Sequence, residues 1–247
     1  METTLSIDEL IQELDQPNLN GWKLFAETSN VKVYRRIDEE SKVIQYKCYS
    51  HISDVTPDIF YQVALDVDYR LTWDKYLKEA KKINDGEKDG IYWEMIMPLF
   101  IDNRDYTFVR DYGEYDIGNR HFYHVMTRCE PFKNMPPRKK VVRIELCQTQ
   151  TLLCSDGEKG LQSVFVYHED PRGNIPKAVW SWAAKFGVPM YAKLTHNACL
   201  NYSAWIKDKQ AKLPNVVDDD FDSAAAAEAA AIRASNEDIQ QHEDDHA

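Results

Sequence analysis

Arg104-Asp105-Tyr106-Thr107-Phe108-Val109-Arg110-Asp111-Tyr112-Gly113-Glu114-Tyr115-Asp116 runs into Ile117-Gly118-Asn119 and then Arg120-His121-Phe122-Tyr123-His124-Val125-Met126-Thr127-Arg128-Cys129. Both flanks are rich in β-branched and aromatic residues, which suit a pleated, half-buried surface. The turn-like tripeptide between them is too short for a crossover, so the two runs should pair antiparallel. The same grammar recurs in both directions. Trp22–Thr28, Val31–Arg36 and Val43–Ile52 read as strands upstream, followed by Leu77–Asn84 and Gly90–Met97, with Lys140–Cys154 and Leu161–Glu169 downstream. Asp85-Gly86 and Ser155-Asp156-Gly157 supply further tight turns. Two connections differ: Pro98 to Asp102 presents an apolar tip of Leu99, Phe100 and Ile101, and Glu130 to Arg138 carries Pro131, Pro136 and Pro137, which preclude regular structure.

Helical signals lie outside this strand series. Ser6 with Glu9 forms a capping box ahead of Leu10, Ile11 and Leu14. Pro57 suits a first helical position, with Ile59, Phe60, Val63 and Ala64 as the apolar face. From Ile175 to about Lys209 the chain predicts one long amphipathic helix with Val179, Trp182, Phe186, Met190, Leu194, Ala198, Tyr202 and Trp205 near one stripe, kinked at Gly187 and Pro189. The expected fold is α+β: a curved, nine-stranded antiparallel sheet gripped by a long C-terminal helix, enclosing a cavity.

At 247 residues, 43% of them hydrophobic, the chain can bury a full core. No stretch approaches the roughly 20 apolar residues of a membrane span, and the start lacks a secretory pattern, so a cytoplasmic protein is expected. Five widely spaced cysteines argue against a disulfide framework or a zinc site, and no cofactor is indicated. The net charge of −11 is unevenly spread: after Pro214 ten acidic residues face a single Arg233, leaving residues 1–213 at −2. A near-neutral body has no basic stripe for nucleic acid. Residues 1–213 thus read as one domain and 214–247 as an acidic, alanine-containing flexible tail, where Ser235 before Asn236-Glu237-Asp238 is a phosphorylation candidate.

Between the third strand and Leu77 lies Asp68-Tyr69-Arg70-Leu71-Thr72-Trp73-Asp74. If helical, it sets Arg70 and Asp74 on one face, where the carboxylate can orient a guanidinium suited to two-pronged grip of a phosphate or carboxylate. No nucleophile elbow, phosphate loop, dinucleotide turn or zinc-protease helix is present, and Arg70 occupies what would be a ligand position of a calcium loop opened by Asp66 and Asp68.

Several strings, in order, resemble the START lipid-transfer domain family from about residue 8 to residue 207. They are Asp68-Tyr69-Arg70 with Trp73-Asp74, Tyr92-Trp93-Glu94, Asn103-Arg104-Asp105-Tyr106, Ser155-Asp156-Gly157, Ile175-Pro176, Trp182-Ala183-Ala184-Lys185 with Gly187-Val188-Pro189, and Ala198-Cys199 with Asn201-Tyr202. The resemblance implies a helix-grip fold around one lipid. In the phosphatidylcholine-binding members, an arginine–aspartate pair holds the phosphate and an aromatic cage holds the choline. It places the pair on Arg70 and Asp74, and cage positions on Trp93, Tyr106 and Cys147, the last a departure from the expected aromatic. Alternation through Val142, Ile144 and Leu146 sets Cys147 on the opposite face, with Arg143 and Glu145.

The function so implied is a non-catalytic soluble carrier that exchanges one phospholipid between membranes, touching them transiently through Leu99, Phe100 and Ile101 and opening at Gly187 and Pro189. Phosphatidylcholine is the favoured cargo and phosphatidylethanolamine the runner-up. A lipid-sensing protein acting on a protein partner, and a lipid hydrolase built on Cys147 or Cys154, are the readings from other classes.

Overall fold

The computed structural model describes residues 4–38, 43–98, 101–173 and 175–212. Leu99 and Phe100 of the expected gate, and the tail with Ser235, lie outside them. The chain divides into two units, Met1–Ser203 and Ala204–Ala247. The described part of the second is helical, and the account below concerns the first.

The elements follow the periodicities closely. α1 (Ile7–Asp15) opens on the capping box, with the Ser6 hydroxyl accepting from the Glu9 amide and the Glu9 carboxylate accepting from the Ser6 amide. β1 (Lys23–Glu27), β2 (Val31–Ile37) and β3 (Ile44–Ile52) precede α2 (Pro57–Leu65) and α3 (Val67–Trp73). β4 (Leu77–Asn84), β5 (Asp89–Met95), β6 (Asn103–Ile117) and β7 (Arg120–Cys129) come next, then β8 (Val141–Ile144), β9 (Cys147–Ser155) and β10 (Leu161–Glu169). The last helical stretch is α4 (Lys177–Trp182), a π-helical turn Ala183–Gly187, and α5 (Val188–Lys212).

Nine strands form one antiparallel path in the order β1-β2-β3-β10-β9-β7-β6-β5-β4. The expected run Lys140–Cys154 is in fact two strands. β8 pairs in parallel with Asn103–Tyr106 of β6, on the side where β7 has already ended opposite Phe108. It is pinned by Arg143, whose guanidinium donates to both carboxylate oxygens of buried Asp105 at 2.9 and 3.0 Å. After a break at Glu145 and Leu146 the chain re-enters the sheet as β9, so alternation does not carry across. Cys147 therefore faces the same side as Ile144, opposite to the face counted from Val142.

The two faces of the sheet differ. On one, Leu10 of α1 is fully buried against Phe122, Leu152, Cys154 and Val164, with Ile7, Ile11 and Leu14 around it. On the other, Ile91, Trp93, Met95, Tyr106 and Phe108 cluster with Val67 of α3. The Tyr69 hydroxyl donates to the Ala198 carbonyl and the Tyr202 hydroxyl to Asp66, so α3 is tied to α5 across this second face.

The helix is not interrupted at Gly187 and Pro189. A π turn takes up the proline instead, with the Val188 amide reaching the Ala183 carbonyl five residues back. The wider turn shifts the phase of the apolar stripe, which is why Phe186 and Met190 are 57% and 48% exposed while Val179, Ala198 and Tyr202 are buried. A Cβ at Gly187 would stand 3.0 Å from the Trp182 ring, so a larger residue there would need that indole to shift slightly.

If α1 seals the sheet as described, Leu10→Ala should cost about 2–5 kcal/mol in denaturant unfolding, whereas Leu24→Ala, at a 54% exposed position, should stay within about 0.5 kcal/mol. Equal effects at the two positions would contradict this packing.

Candidate functional site

Arg70 and Asp74 end α3 from one face, as the sequence spacing requires. The helix starts on Asp66, whose side chain accepts from the Tyr69 amide at 2.8 Å, and its last turn presents Arg70 to Asp74 with Nε 3.1 Å from Oδ2. Asp74 is 3% exposed, and its other oxygen accepts from the Tyr76 amide at 3.1 Å. The Arg70 guanidinium also donates to the Tyr191 hydroxyl of α5. It lies over three rings, 4.5 Å from the centroid of Trp93, 5.2 Å from Trp73 and 5.8 Å from Tyr191.

Sequence reasoning missed a second guanidinium. Arg110, four residues along β6 from Tyr106 and on the same face, stands 5.7 Å from the ring centroids of both Trp93 and Phe108 and donates to the Leu65 carbonyl at 3.2 Å. Burial, followed by the positive charge of Arg70, lowers its pKa to about 10. Two guanidiniums thus flank one indole, and Asp74 is in ion-pair contact with one of them, Arg70. Arg110 Nε, Trp73 Nε1 and Trp93 Nε1 are buried donors without an acceptor among the described residues. Buried donors are almost always satisfied, and a ligand bringing acceptor oxygens and negative charge would satisfy these. The only signal in the sequence was Arg110 on the inward parity of an amphipathic strand, which is equally the pattern of a solvent-facing residue.

The remaining expected residues assemble beside it. Trp93 and Tyr106 are cross-strand partners of β5 and β6. Cys147 pairs with Glu169 across β9 and β10, and the Tyr106 hydroxyl donates to Glu169 Oε2 at 3.3 Å. Tyr167, two residues before Glu169, donates to the same oxygen. Trp93, Tyr106 and Cys147 therefore share one face, joined there by Tyr167 and Glu169, which sequence reasoning did not single out. Ile101 is half-buried at the described end of its loop.

A family model described as the START domain matches residues 5–206. The chain belongs to the START domain family. Human phosphatidylcholine transfer protein is 33% identical over 196 residues, which cover 78% of this chain and 92% of that protein. Human START domain-containing protein 10 is 30% identical over 198 residues, 79% of this chain and 66% of its own length. The crystal structure of human STARD10 superimposes with a TM-score of 0.68 at 26% identity, covering 87% of each chain, and human StAR-related lipid transfer protein 5 with 0.62 at 18%, covering 79% and 95%. Among the described residues no helix is long and apolar enough to cross a membrane.

A buried guanidinium kept for a ligand should be a burden to the empty protein. Arg110→Met is therefore expected to raise the melting temperature of lipid-free protein by about 2–4 °C, the equivalent of about 1 kcal/mol for a chain of this size, while Asp74→Ala lowers it by leaving Arg70 unpaired. A marked fall in melting temperature for Arg110→Met would mark Arg110 as a structural residue.

Proposed function

We propose that this START domain is a soluble, non-catalytic carrier that encloses one phospholipid and exchanges it between membranes, with residues 214–247 as an appended acidic tail. The observation that carries the reading is the pair of guanidiniums on Trp93, balanced by one carboxylate: a phosphate monoanion would neutralise the excess charge and give Arg110 Nε and the indole N–H groups their acceptors. Neighbouring Trp93 and Tyr106 offer aromatic faces to the cationic end of the head group. Relatives named for phosphatidylcholine transfer support the same class of cargo.

Acyl chains would run along the sheet face lined by Ile91, Met95 and Phe108, where each sequestered methylene contributes about 0.8 kcal/mol. Sequestration on that scale requires release at a membrane. Phe186 and Met190, exposed on the π turn and the start of α5, would enter an interface. A hydrolase at Cys154 is not supported: its sulfur lies in the core beneath α1 and accepts from Arg120 and Gln162.

Transfer of phospholipid between donor and acceptor vesicles tests the reading. Arg70→Lys, which keeps the charge and loses the planar fork, should cut transfer about tenfold or more by weakening capture. Phe186→Ser with Met190→Ser should slow transfer several-fold while already bound lipid stays in place. Wild-type rates in both variants would remove the clamp and the membrane contact together.

A further inference from the structure

The end of the site away from Arg70 is not a complete aromatic cage. It holds a carboxylate. Glu169 is 8% exposed, on the last position of β10, and both hydroxyls that reach it, from Tyr106 and Tyr167, donate to Oε2, leaving Oε1 to receive a further donor. Burial pushes its pKa up, partly offset by those two hydroxyls and by the charge of Arg104. Arg104 does not neutralise it by contact, because that guanidinium donates to the carbonyls of Asp102 and Arg172 at 2.6 and 3.3 Å. The carboxylate ties β10 to β6, two strands that are not neighbours in the sheet, through the Tyr106 hydroxyl. Directly across the β9–β10 pair stands Cys147, a small thiol with no π face, so the wall on that side offers space and no cation–π attraction.

These features discriminate between head groups. A trimethylammonium can fill an aromatic cage but donates no N–H, so it would press a buried carboxylate against methyl groups and leave Oε1 unsatisfied. A primary ammonium is smaller and brings three donors to a site whose acceptor is already aligned. We propose that Glu169, oriented by the hydroxyls of Tyr106 and Tyr167, accepts the N–H groups of a primary-ammonium head group and makes phosphatidylethanolamine the preferred cargo over phosphatidylcholine. The inference rests on the phospholipid-carrier reading above and refines it. A serine head group carries the same ammonium but adds a carboxylate that would face Glu169, so the preference is for ethanolamine. Glu169 thus puts an acceptor at the far end of the site from Arg70 and Arg110, with its charge partly offset by nearby Arg104.

The test uses the full-length protein and vesicles holding equal amounts of phosphatidylethanolamine, its N-methyl and N,N-dimethyl derivatives, and phosphatidylcholine, all with the same acyl chains. Protein is re-isolated and its lipid quantified by mass spectrometry. Capture by the wild type should fall with each methyl added, to about a tenfold difference between the ends of the series, the scale on which a buried charged acceptor loses its donor. In Glu169→Gln the series should flatten, with the loss of capture falling mainly on phosphatidylethanolamine. A flat wild-type series, a wild-type preference for phosphatidylcholine, or a Glu169→Gln series as steep as wild type overturns the inference while leaving the carrier reading intact. Capture of no phospholipid by the wild type overturns both. The wild-type series decides the matter even if Glu169→Gln does not fold.

Discussion

The Arg70 guanidinium sits among three aromatic rings with one carboxylate, Asp74, to balance it. That pairing is the constraint on which the rest of the site depends. Asp74 alone would satisfy Arg70, but Arg110 shares the same indole, and each guanidinium raises the electrostatic cost of the other. Such a cluster is retained only if something returns the energy. In the reading proposed above a ligand phosphate would do so, meeting donors already held by α3, β6 and α5. The surrounding architecture can be read as the means of holding these groups: α3 is capped by Asp66 and tied to α5 through Tyr69 and Tyr202, which fixes the direction in which Arg70 points.

The strand series was legible because turn residues punctuate it and because the helix that packs on part of its outer face has a strong capping signal. Strand boundaries came within a residue or two for most of the sheet. Where reading failed, the cause was a change of phase that leaves no mark in composition. The Glu145–Leu146 break between β8 and β9 resets the parity of Cys147, and nothing in Arg143-Ile144-Glu145-Leu146-Cys147 announces it. The π turn does the same to the terminal helix, so Phe186 and Met190, counted into the apolar stripe, stand outside it. Parity-based and period-based arguments assume an unbroken element, and both errors come from one inserted irregularity.

The site was half legible for a different reason. Arg70 and Asp74 carry a local signature, spacing on a helix, and so could be paired by eye. Arg110, Tyr167 and Glu169 have none: each is a polar residue on an alternating strand, and alternation looks the same whether the polar face meets bulk water or the interior of a ligand site. Only the sheet order, which sets β10 beside β9 and brings β6 within reach of both, places Glu169 against Tyr106. The family resemblance points to Trp93, Tyr106 and Cys147 and says nothing of Glu169.

The claim that two guanidiniums and one carboxylate form a phosphate site is tested most directly by native mass spectrometry of the full chain as purified. The account predicts one phospholipid per chain in the wild type and loss of that mass in Arg70→Ala and in Arg110→Ala, both still folded by circular dichroism. A wild-type protein carrying no phospholipid, a sterol, or fatty acid with lysolipid, or variants that keep the phospholipid at wild-type occupancy, would contradict it.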